Sequence, residues 1–78
     1  MKVDIYKARK IPSPTERMYV FIPSDKSPDF LPDEVMRAAG ALDFEKKISI
    51  RPGEKKIALN TDEAVRDIRE KGFHIVCT

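Results

Sequence analysis

His74 and Cys77 are the side chains best suited to acid–base or nucleophilic chemistry near neutral pH, and each is the only residue of its type in the 78-residue chain. They lie three residues apart in an alternating apolar run, residues 73–77, so an extended strand would turn them to opposite faces. A Cys–His dyad is therefore not expected, and Cys77 reads as a small apolar thiol. His74 could serve as a general base, with Asp4 or Tyr6 as partner if the terminal strands were neighbours. A lone histidine in a strand is more often structural. One histidine and one cysteine cannot complete a four-ligand zinc cage, so neither a metal nor a cofactor is expected. The three glycines stand apart at Gly40, Gly53 and Gly72, which excludes a phosphate-cradling loop, and no Gly-x-Ser-x-Gly elbow is present. The acids Asp25, Asp29, Asp33 and Glu34 resemble a cation site in composition, but acids ahead of a helix are explained by its dipole.

The remaining chemistry is that of a surface. Cations gather at Lys7, Arg9, Lys10 and Arg17, and again at Arg51, Lys55 and Lys56. Acids are interleaved with them: fifteen Lys and Arg against thirteen Asp and Glu leave a net charge of +2, too small to dictate an anionic partner. Counting alternate positions could place Tyr6, Tyr19, Phe21 and His74 on one sheet face, away from Val3, Ile5, Val20 and Ile50. Left open, such a face with its basic loops would suit stacking of single-stranded nucleic acid. The preferred reading is that one helix packs on each face and buries these aromatics in a second core layer.

These residues need a scaffold, and the chain is long enough for one small domain, residues 1–78. Size scaling lets about 63% of the extended chain's surface be hidden, a thin but sufficient core. The longest wholly apolar run, residues 18–22, is far short of the roughly 20 residues of a membrane-spanning helix. Period-two alternation predicts strands over residues 3–6 and 18–22, separated by a basic loop broken by Pro12 and Pro14. Pro32, Asp33 and Glu34 open a helix that ends at Gly40. Strands follow over residues 47–51 and 55–59, with Ile48, Ile50, Ile57 and Leu59 inward and Pro52-Gly53 as the turn. Asn60 and Glu63 have capping-box spacing, Ala64, Val65 and Ile68 form a buried stripe, and Gly72 ends the second helix. Residues 73–77 supply a last strand. The predicted order is β-β-α-β-β-α-β: an α+β domain of α/β sandwich type around one largely antiparallel five-stranded sheet with two helices.

Ile5-Tyr6 followed by basic residues, Tyr19-Val20-Phe21, Asp29-Phe30 ahead of Pro32, Val35-Met36 with Gly40, Lys55-Lys56, Asp62, and Gly72-Phe73 before the closing apolar strand occur in this order along the chain. These pieces resemble the YcgL-like family of small bacterial proteins. Together they span nearly the whole chain. The loop over residues 7–17 departs from the family pattern in being longer and richer in proline, and the proline-rich stretch that follows in many relatives is not part of this sequence. The resemblance implies an α/β/α sandwich in a cytoplasmic bacterial protein of unassigned biochemical function, with no catalytic or binding residues to carry over.

The expectation is a non-enzymatic interaction module that binds another macromolecule, a protein in preference to RNA. Its candidate contact residues are Tyr6, Tyr19, Phe21, His74, Arg51, Lys55 and Lys56. RNA or single-stranded nucleic-acid binding through the aromatic face and basic loops is the first alternative, and a small enzyme using His74 the second. No membrane contact is expected. A weak homodimer formed by pairing a strand edge, that of the last strand, is a separate expectation.

Overall fold

The computed structural model describes every residue except 12, 52–54, 57 and 58, and leaves the side chains of residues 55, 56, 59 and 60 undescribed. The expected Pro52-Gly53 turn, the inward Ile57 and Leu59, the Asn60 cap and any side-chain contact of Lys55 or Lys56 therefore lie outside the described residues.

Alternating apolar side chains build a central antiparallel pair, β1 (Lys2–Ala8) and β2 (Met18–Pro23). Asp4 stands opposite Ile22, Ile5 opposite Phe21 and Tyr6 opposite Val20. β3 (Leu42–Ser49) joins the free side of β1, and β6 (His74–Cys77) joins the free side of β2. The sheet order is β3-β1-β2-β6, antiparallel at every step. Beyond the last strand, Arg17 and Thr78 exchange both backbone hydrogen bonds, at 2.6 and 2.9 Å, which prolongs the β2–β6 pairing by one residue.

One helix covers each face. α2 (Thr61–Lys71) lays Ala64, Val65 and Ile68 over Val3, Ile5, Phe21 and Ile50. α1 (Asp33–Ala39) lays Val35 and Ala39, with the preceding Leu31, over Ala8, Met18, Val20 and Ile22. Val3, Val20, Ile22 and Ile50 have no accessible surface, so both layers have fully buried centres. Both helices stop at a glycine in the left-handed region. Gly40 (φ 75°) donates its N–H to Met36 O, and Gly72 (φ 90°) donates to Ile68 O, each at 2.9 Å. Among the described residues no helix is long and apolar enough to cross a membrane.

Among the described residues the structure is α+β with two α-helices, but its main sheet has four strands rather than the expected five. β4 (Lys55–Lys56) and β5 (Leu59–Asn60) pair with each other in a separate ribbon. Both sides of β1 and β2 are already occupied, so only the outer edges of β3 and β6 remain, and neither ribbon strand pairs there. The third strand begins at Leu42, five residues earlier than expected, because residues 42–45 also alternate although two of them are acids.

The expected grouping of faces is corrected as well. Cross-strand partners share a face, so Val20 lies with Tyr6 on the α1 side, whereas Val3 and Ile5 lie with Phe21 on the α2 side. Alternation sets the two faces of one strand; the phase between strands comes from register.

Candidate functional site

The two constellations richest in chemistry lie at different places: one under α2, the other on the β3 edge. The first is built from β6 and α2. His74 enters the sheet opposite Phe21, and its ring meets the Phe21 ring edge-on at a centroid distance of 5.7 Å. It is only 5% exposed. Its Nδ1 lies 2.8 Å from Oδ2 of Asp67, whose side chain is 18% exposed. A carboxylate offers only acceptors, so Nδ1 carries a proton and donates it; in a neutral ring Nε2 is then the acceptor. This hydrogen bond holds the Asp67 carboxyl below its ordinary value against partial burial, with the charges of Lys71 and Arg66 adding to the effect.

Glu63 stands one helical turn before Asp67, and the i, i+4 spacing puts both carboxylates on the helix face that looks toward His74. The donor atoms of Glu63, Asp67 and His74 all lie within 4.8 Å of one another. Among the described residues, these three could hold a metal ion. As a catalytic base His74 is poorly placed, because a ring this buried presents little edge to a substrate. Its partner is also not the one expected. β1 and β6 are separated by β2, so neither Asp4 nor Tyr6 is beside it. Cys77 stands opposite Met18, on the other face from His74, and is exposed.

The second constellation is on β3. Tyr6 of β1 faces Phe44 of β3 in register, and their rings meet edge-on at 5.7 Å. Phe44 is 56% exposed while Tyr6 is half-buried against the α1-side core. Burial, and then the negative charge of Asp4, pushes the Tyr6 hydroxyl above its ordinary value of 10.0. Asp4 itself is nearly buried and accepts a hydrogen bond from Ser24 Oγ at 2.9 Å. Next to Phe44, Asp43 accepts from both Nε and Nη2 of Arg9 at 3.0 Å, a two-pronged pair that lowers the Asp43 carboxyl.

The expected aromatic face is therefore divided. Tyr19, Phe21 and His74 are on the α2 side, where Phe21 is buried and Tyr19 half-buried, and Tyr6 is on the α1 side. Arg51 is exposed just after Ile50, and the backbone of Lys55 and Lys56 forms β4. In the first basic group, Arg9 is bound to Asp43, Lys10 Nζ donates to Arg37 O at 3.2 Å, and Arg17 Nη1 donates to Glu16 O at 2.9 Å. Sequence reasoning missed Asp67, Glu63 and Phe44. The signal for the first two was available as acids four apart on a predicted helix, one of them seven residues before the only histidine.

Comparison with known proteins follows this geometry. The family model described as the YcgL domain matches residues 3–77, nearly the entire chain. The chain belongs to the YcgL family. A YcgL domain-containing protein of Saccharophagus degradans is 29% identical over 75 residues, which cover 96% of this chain and 78% of that relative. No solved structure gives a significant match. The family's biochemical function is unassigned, so the site is read from its own residues.

Proposed function

We propose that this YcgL domain is a protein-interaction module that takes up an extended segment of a partner as a further strand along the outer edge of β3. The observation that carries the reading is the edge itself. β3 is eight residues long, pairs only on its β1 side among the described residues, and presents Phe44 to solvent. A long unpaired edge offers a row of backbone donors and acceptors to an incoming strand. Two devices protect one end of it. Ile5 stands opposite Lys46 and Tyr6 opposite Phe44, so Glu45 is the extra residue of a bulge. Lys46 and Lys47 follow, and charged residues on an edge discourage pairing. The end without a bulge, residues 42–44, where the charge of Asp43 is held by Arg9, is therefore the landing point, with the Tyr6 ring supporting Phe44 from behind.

A nucleic-acid partner is less favoured, because the aromatics are split between two helix-covered faces and Arg9 is held by Asp43. An enzyme built on His74 is less favoured because the ring is buried. Self-pairing through the shorter edge of β6 would be a weaker use of the same chemistry. The proposed place of action is the bacterial cytoplasm, where the exposed Cys77 stays reduced.

Pull-down from a bacterial lysate, with and without nuclease, tests the reading when wild type is compared with Phe44→Lys. A protein held by wild type and lost from Phe44→Lys supports it. Capture of nuclease-sensitive material, or equal capture by both chains, contradicts it.

A further inference from the structure

We propose that Glu63, Asp67 and His74 form a binding site for a first-row divalent transition-metal ion, zinc foremost, at the junction of α2 and β6. The site brings together a buried imidazole from a strand and two carboxylates from one helix face, with every pair of donor atoms within 4.8 Å. With bonds of roughly 2.0–2.1 Å, adjacent tetrahedral ligands stand about 3.3–3.4 Å apart, so the inner pair, 2.8 Å apart across its hydrogen bond, opens by about half an ångström when an ion replaces the shared proton. The exposed Glu63 carboxylate, within 4.8 Å of the other donors, has to exchange its present contact for the ion and swing inward by up to about 1.5 Å to reach tetrahedral spacing. A surface side chain on a helix can do this by a change of rotamer.

The donor set selects the ion class. One imidazole nitrogen with two carboxylates suits zinc and its first-row neighbours, whereas magnesium and calcium prefer oxygen alone. Two carboxylates one turn apart repel each other, and a doubly charged cation removes that repulsion and leaves the cluster neutral. Burial grades outward from His74 through Asp67 to exposed Glu63, so solvent can supply the remaining ligands as water. On metal entry the imidazole proton moves from Nδ1 to Nε2, and Nδ1 turns from donor to ligand without net proton loss. The competing account is that Asp67 and His74 are only a clasp between helix and strand; it predicts no response to metal.

Titrating the full chain with zinc, and separately with magnesium, while following the His74 ring resonances and Tm, decides between them. Zinc is expected to saturate one site, shift the His74 signals and raise Tm, with magnesium doing neither at the same concentration. Glu63→Gln, at an exposed position, is expected to weaken zinc binding about tenfold or more, and its metal-free Tm reports that it folds. Asp67→Asn abolishes the response, and Cys77→Ser leaves it unchanged. Absence of any His74 or Tm shift at millimolar zinc overturns the proposal. So does a response that survives Glu63→Gln and Asp67→Asn, or one that vanishes in Cys77→Ser.

Discussion

His74 Nδ1 and Asp67 Oδ2 lie 2.8 Å apart, and their hydrogen bond joins the last strand to the helix covering the sheet. His74 is nearly buried, so removing its acceptor leaves an imidazole N–H without a partner in a dry place. Asp67→Ala is expected to lower unfolding free energy by about 1–3 kcal/mol, read from the denaturant midpoint at unchanged slope. Asp67→Asn retains an acceptor oxygen and should recover part of that loss. A neutral Asp67→Ala would show the bond to be incidental.

Packing on both faces makes a prediction that one-sided packing does not. Ile22 lies under α1 and Ile50 belongs to the α2-side cluster, both with no accessible surface. Ile22→Val and Ile50→Val should each cost about 0.5–1.5 kcal/mol, small enough for both variants to remain folded. Were only one face a true core, one of the two substitutions would be silent in chemical denaturation.

The end of α2 depends on backbone more than on space. Gly72 has φ 90°, and a Cβ there would lie 3.1 Å from the Phe30 ring. Phe30 is half-exposed and can give way by a few tenths of an ångström, so the dihedral dominates. Gly72→Ala should cost about 1–2 kcal/mol, and removing the ring with Phe30→Ala should not restore it. Comparing the thermal midpoints of the single and double variants checks this.

Tyr6 carries a pH dependence at the alkaline end. Burial and Asp4 raise its ionisation above 10.0, so the folded chain retains a proton that the unfolded chain has already released. The stability linked to the neutral phenol is complete below about 10 and is lost as pH rises through the folded value. Carbon-13 titration of the tyrosine rings should place Tyr6 above 10, and Asp4→Asn should bring it partly back. A Tyr6 that ionises at 10 in the folded protein would contradict the burial argument.

What the sequence made legible is what depends on neighbours along the chain. The alternation of β2, the buried stripe Ala64, Val65 and Ile68, and the stops at Gly40 and Gly72 were all readable, because each follows from a local period or a single residue's dihedral freedom. The placement of Val20 with Tyr6 was not, since register across β1 and β2 is a property of the pair. The early start of β3 was hidden because Asp43 and Glu45 interrupt the apolar residues there, although charges are at home on an exposed edge. The meeting of Asp67 with His74 depends on how α2 is rotated over the sheet, a consequence of packing its apolar stripe. The Phe44 edge became visible only once strand order showed that nothing described pairs beyond it.

The edge claim is tested most directly by amide chemical-shift mapping of the isotopically labelled chain with an extended peptide, taken from the captured partner or selected from a displayed library. The account predicts that the largest shifts fall on residues 42–44 and the Phe44 ring, that slowed amide exchange appears along β3, and that Phe44→Lys abolishes both. Shifts centred on α2, β6 or the basic loops, with β3 unmoved, would contradict it.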